Sequence, residues 1–150
     1  MEKEFVPYQE SLDMKSIGFD EPCVYYVDKN NESYIYNFET HPDEFIEWCG
    51  VNVIPTPTFS QAFRWFRENH NLMFQIFYLR NGNYAAIIHR TTPEYMDLVD
   101  QVRPSSGCVD EVVDCYSYEE AELECLRKLI EIVKQQKSNH DLMSGDIVGY

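Results

Sequence analysis

Asn81-Gly82 stands between two runs dominated by β-branched and aromatic residues, Met73-Phe74-Gln75-Ile76-Phe77-Tyr78-Leu79-Arg80 and Asn83-Tyr84-Ala85-Ala86-Ile87-Ile88-His89-Arg90. Asn and Gly accept the positive φ that a tight antiparallel connection demands, so this stretch has little choice but to form a β-hairpin. A two-residue turn would set Tyr78 opposite Ala85 and Phe77 opposite Ala86, each bulky ring beside a small partner. On that register Phe74, Ile76, Tyr78 and Ile87 line one face, and Phe77, Leu79, Tyr84 and Ile88 line the other. Both faces are apolar, and both need cover.

The elements that could supply cover are written in capping chemistry. Thr58 with Gln61, and Ser117 with Glu120, have the spacing at which a hydroxyl and a side chain three residues on satisfy each other's orphan N–H groups. Phe59, Ala62, Phe63 and Phe66 then recur at helical spacing. From about 117 to 135, Tyr118, Ala121, Cys125, Leu126, Leu129, Ile132 and Val133 make one apolar stripe. Acids crowd the positive end of that second helix, lysines sit near its negative end, and Glu124 with Lys128 has i,i+4 pair spacing. A short first helix is predicted within 6–17, ended by Gly18, with Phe19 folding back on it. A first hairpin is predicted from 23–27 and 34–38. Residues 41–57, with Gly50 and Pro55-Thr56-Pro57, are expected to form an irregular insertion. Residues 92–99 could open a short helix, whereas 103–107 and the acidic 108–116 segment are expected as loops.

The order αββαββα implies an α+β fold. Its centre is an antiparallel sheet of four or more strands, with helices packed on it as an αβα-type sandwich. The second sheet face would be covered by the first helix or the 41–57 insertion, or else would form a homodimer interface. At 150 residues the chain suits a single domain, placed over 1–136, with 137–150 as a flexible C-terminal tail.

Composition narrows function by exclusion. The chain carries 26 Asp+Glu against 12 Lys+Arg, a formal charge of −14, so a phosphate backbone would be repelled and sequence-independent nucleic-acid binding is disfavoured. No apolar run approaches the roughly 20 residues that span a bilayer. The opening Met1-Glu2-Lys3-Glu4-Phe5 is unlike a secretory leader, which leads to the expectation of a cytoplasmic protein. The five cysteines, Cys23, Cys49, Cys108, Cys115 and Cys125, are an odd number without C-x-x-C spacing, as expected of free thiols and not of a disulfide framework or zinc site.

No catalytic, cofactor-binding or metal-binding residue is assigned. His41, His70, His89 and His140 are scattered, and no nucleophile elbow, phosphate loop or dinucleotide fingerprint occurs. Acidic neighbours of Cys108 and Cys115 oppose thiolate formation. The segment that resists a purely structural explanation is Phe63-Arg64-Trp65-Phe66-Arg67-Glu68. Phe63 and Phe66 belong to the buried stripe, which leaves Arg64, Trp65 and Arg67 on its flanks, and Trp and Arg are favoured interface anchors. Intramolecular pairing of the arginines, with Trp65 packed at the rim, explains the same pattern.

Three stretches together resemble a known group. They are Phe5-Val6-Pro7-Tyr8 running to Gly18-Phe19-Asp20-Glu21-Pro22-Cys23, Pro57-Thr58-Phe59-Ser60-Gln61-Ala62 continuing through Glu68, and Ser117-Tyr118-Glu119-Glu120-Ala121 continuing through Lys134. The group comprises small uncharacterised proteins encoded by tailed phages, prophages and related mobile elements of Bacteroidetes, and it carries no assigned catalytic residues. The resemblance implies expression inside the host cell and an accessory role. The leading expectation is a non-enzymatic protein that binds a protein partner, host or phage and by charge a basic one. A virion-associated structural protein and a small enzyme are the alternatives.

Overall fold

The computed structural model describes residues 4–30, 32–35, 53–90 and 108–145. It is an α+β structure with antiparallel strands. The chain divides into two compact units, Met1–Ala62 and Phe63–Tyr150.

In the first unit, helix α1 (Tyr8–Ser16) precedes strands β1 (Tyr25–Val27), β2 (Ser33–Ile35) and β3 (Ile54–Thr56). Gly18, at φ 107°, ends α1: its N–H donates to the Lys15 carbonyl, and that of Phe19 donates to the Met14 carbonyl at 3.0 Å. This double return bond lets the chain reverse without orphaning the last carbonyls. Met14, Ile17 and Phe19 are all buried there, as Gly18 and Phe19 led one to expect.

Strand β1 is central, with Tyr26 opposite Tyr34 on one side and Pro55 on the other. The hairpin turn is built on Asp28, whose carboxylate accepts the N–H groups of Asn30 and Glu32 at 2.8 and 2.9 Å and the Tyr34 hydroxyl at 3.2 Å. Strand β3 lies at the end of the segment expected to be irregular. Pro55 is tolerated because β3 forms an edge of this sheet, where one row of N–H groups has no ladder to serve. The rest of that segment, 41–52, lies outside the described residues, as do the second half of the first hairpin beyond Ile35 and the 92–99 and 103–107 stretches.

Helix α2 (Phe59–His70) starts as expected, with the Gln61 N–H donating to Thr58 Oγ1 at 3.1 Å. Only half of the capping box forms. The Gln61 amide instead donates to Glu21 Oε2 and the Pro22 carbonyl, tying the helix start to the segment before β1. Asn71, at φ 54°, is the single residue between α2 and the next strand, and its left-handed backbone makes the reversal that a glycine would otherwise supply.

The second unit holds β4 (Leu72–Tyr78), β5 (Tyr84–Arg90), β6 (Cys108–Cys115) and α3 (Tyr118–Gly145), with strand order β4-β5-β6. Thus the strands form two three-stranded sheets among the described residues, each a hairpin completed by a strand from a segment expected to be loop. Strand β6 replaces the expected acidic loop. Two register shifts against β5, and Asp114 at φ 62°, break the alternation that would have identified it as a strand.

The hairpin around Asn81-Gly82 forms, but one residue out of the expected register: Phe77 faces Ala85 and Tyr78 faces Tyr84. The Gly82 N–H donates to the Leu79 carbonyl, the Leu79 N–H donates to the Asn83 carbonyl at 2.8 Å, and only Gly82 takes positive φ, at 85°. This is a three-residue connection, a turn followed by a left-handed glycine, instead of two left-handed residues. Asn81 contributes through its side chain, whose Oδ1 accepts the Asn83 N–H.

A one-residue slip exchanges faces on one strand relative to the other. Phe74, Ile76 and Tyr78 therefore share a face with Tyr84, Ala86 and Ile88, and this face meets α3 and Phe63 of α2. Phe63 stacks on Phe74, Tyr84 meets Tyr118, and Lys128 lies 3.9 Å from Asp110 on β6. Met73, Gln75 and Phe77 on the other face are exposed.

Helix α3 buries Ala121, Cys125, Leu126, Leu129, Ile132 and Val133 as the stripe predicts, together with Ile130. Two expectations about it are corrected. Glu124 pairs with Arg127, so Lys128 turns to Asp110 and to Glu131 at 3.5 Å. The helix also runs to Gly145, where a flexible tail was expected from 137. No proline or glycine interrupts 118–144, so nothing breaks the helix, and cooperative propagation carries it through the weak formers Ser138-Asn139-His140-Asp141 although the side chains of 137–143 are exposed.

Candidate partner-binding surface

Arg64, Trp65 and Arg67 do not form a single exposed spot. Trp65 is 3% exposed, packed edge-on against Phe66 and His70 at centroid distances of 5.1 and 4.8 Å, so it is a core residue and not an anchor for a partner. The apolar stripe of α2 is wide enough to take Trp65 in, which leaves only Arg64 and Arg67 on the exposed side. Burial, with Lys137 beside it, holds the His70 imidazole below its usual range.

Cys23, Cys115 and Cys125 are buried and equally unsuited to chemistry at the surface. Burial and then Glu21 push Cys23 up to about 12, outweighing a hydrogen bond with Gln61 that favours the thiolate. Burial followed by Glu122, Asp110 and Cys115 pushes Cys125 to about 12, and Cys115 is raised by burial, Glu120, Glu124 and Asp114. A thiol held this far above neutrality is no nucleophile. Among the described residues, no three His, Cys, Asp or Glu side chains come together as a metal site. His89 is half-buried on the sheet face opposite α3, His140 is exposed on α3, and His41 lies outside the described residues.

A different grouping stands out at the hairpin end of the second sheet. Tyr78 on edge strand β4, Tyr84 on β5 and Tyr118 at the start of α3 form a row. Their ring centroids are 5.3 Å apart at 60° and 6.1 Å apart at 88°, both edge-to-face. Such contacts hold the rings in fixed relative orientation. Tyr78 is 71% exposed and Tyr118 45%, and Tyr116, in the connection from β6 to α3, is 81% exposed.

Carboxylates are dense in the sequence that carries Tyr116 and Tyr118, and Glu122 lies close enough to Tyr118 to act on its phenol. The stretch 108–126 has seven Asp and Glu and no Lys or Arg. Glu120 is used in capping, since its Oε2 accepts the Tyr116 N–H at 2.7 Å while its own N–H donates to Ser117 Oγ at 3.1 Å. Asp110 and Glu124 are paired with Lys128 and Arg127. Asp114, Glu119 and Glu122 form no salt bridge among the described residues. Partial burial and then Glu119 raise the Glu122 carboxyl above its usual range, and burial and then Glu122 raise the Tyr118 phenol.

Sequence patterning missed this row for two reasons. Tyr118 falls on the helical stripe and was expected in the core, and the two-residue turn put Tyr78 and Tyr84 on opposite faces. The three-residue turn puts them side by side.

No protein-family model matches the chain, and no curated protein or solved structure shows significant similarity to it.

Proposed function

We propose that this chain is a phage- or mobile-element-encoded accessory protein of Bacteroidetes that acts by binding a protein partner inside the host cell, with no catalytic step of its own. The observation that carries this reading is the exposure of Tyr78, Tyr116 and Tyr118 at one end of a sheet, on a chain of charge −14. Exposed aromatic side chains gathered at one place cost solvation free energy that a partner would recover. The negative exterior favours a basic partner, speeds encounter and makes affinity fall as salt rises. The resemblance of the 5–23, 57–68 and 117–134 stretches to Bacteroidetes phage and prophage proteins supports the biological setting.

The test is affinity capture with the tagged full chain from Bacteroidetes host lysate at low and high salt, alongside a search for the chain in purified phage particles. A discrete host or phage protein, retained at low salt and shed at high salt, is expected. Incorporation in stoichiometric amount into mature particles would replace this reading with that of a virion component.

A further inference from the structure

We propose that the row of Tyr78, Tyr84 and Tyr118, with Tyr116 beside it, is a docking surface for an arginine-bearing segment of a protein partner. This inference rests on the partner-binding reading and names the surface and the chemistry it takes. The rings supply π faces and the rim supplies negative charge. Tyr78, Tyr116 and Tyr118 are exposed, and Asp114, Glu119 and Glu122 on β6 and the first turns of α3 are left without a cation among the described residues. Cations are attracted to aromatic faces, and the attraction grows where the site is partly desolvated. Partial desolvation is what raises the Glu122 carboxyl, so a cation arriving there finds an anion less well hydrated than one in open water.

Charge complementarity decides among occupants. A second copy would bring the same carboxylates against their counterparts, and nucleic acid would bring phosphates; both are repelled. Arginine suits the surface better than lysine. Its planar guanidinium stacks on a ring and still presents a fork of donors to a carboxylate, whereas an ammonium is a compact and more strongly hydrated charge. The edge-to-face packing of the three rings gives the surface a fixed shape before a partner arrives, so little ordering is required on binding.

Calorimetric titration of the full chain with a short peptide of alternating arginine and glycine, and with lysine and glutamate counterparts of equal length, tests this directly. The arginine peptide is expected to bind more tightly than the lysine peptide, and the glutamate peptide not at all. Tyr78→Leu with Tyr118→Leu should weaken the arginine peptide about two- to fivefold per ring, with Phe at the same positions restoring most of it. Arg64→Ala should change nothing. Should the double leucine variant fail to fold, Tyr78→Leu alone, at a position in the row that is 71% exposed, carries the same test. Equal binding of arginine and lysine peptides, indifferent to the leucine substitutions, would overturn the proposal in favour of bulk anionic attraction. A captured partner that binds the leucine variants unchanged would overturn this surface while leaving the partner-binding reading intact. Failure of any partner to bind would remove that reading itself.

Discussion

The ring of Phe63 lies on that of Phe74, centroids 3.8 Å apart and planes 26° from parallel, joining the first half of α2 to the first strand of the second sheet. Phe63 is buried, and its removal leaves Phe74 without its stacking partner. Phe63→Ala should destabilise the protein by about 3 kcal/mol, counting lost transfer energy and the cavity left behind. Urea denaturation followed by circular dichroism measures it, and a shift below about 1 kcal/mol would mean that the contact is not part of the folded core in solution.

Gly82 is the one residue of the second hairpin turn at positive φ, and a Cβ there would meet nothing nearer than the Tyr78 hydroxyl at 3.9 Å. Space is therefore available, and the penalty of a substitution is conformational. Gly82→Ala should cost about 1 kcal/mol, and Gly82→Asn distinctly less, because Asn tolerates the left-handed region. If Ala and Asn proved equally harmless in thermal melts, the left-handed turn would be wrong.

The hairpin, the two capped helices and the α+β class were legible because each rests on local chemistry: turn residues, caps and periodicity. What was hidden rests on a choice that local chemistry leaves open. Asn81-Gly82 serves a two-residue or a three-residue turn equally well, and the choice decides whether Tyr78 joins Tyr84. Strand β6 was hidden by its own irregularities, since a bulge at Asp114 destroys the period-two signal. Trp65 was misplaced because helical spacing shows which side of a helix is apolar but not how far burial extends around it. Pairing of Lys128 with Asp110 depends on how α3 folds back along the strand that precedes it, so only the assembled sheet and helix reveal it.

Thiol ionisation should make the protein sensitive to base. Cys23 and Cys125 are pushed from an ordinary value of 9.0 to about 12 in the folded chain. Below pH 9 both states keep the thiol proton and these groups leave stability unchanged with pH. Between 9 and 12 the unfolded chain releases protons that the folded chain retains, so stability falls as pH rises. Relative to the parent protein, Cys125→Ala should show a shallower loss of stability across that window in urea titrations. Cys23, Cys115 and Cys125 should also resist alkylation at pH 8 until the chain is unfolded; rapid labelling of any of them in the native protein would contradict their burial.

The most direct measurement is a residue-by-residue map of amide shifts as the isotopically labelled full chain is titrated with the arginine–glycine peptide. Changes should gather at Tyr78, Tyr84, Tyr116, Tyr118 and Glu122, and should fade as salt is added. Changes gathered at Arg64 and Arg67, or spread evenly over the acidic residues of the whole chain, would contradict the claim that an aromatic row framed by carboxylates is where this protein meets its partner.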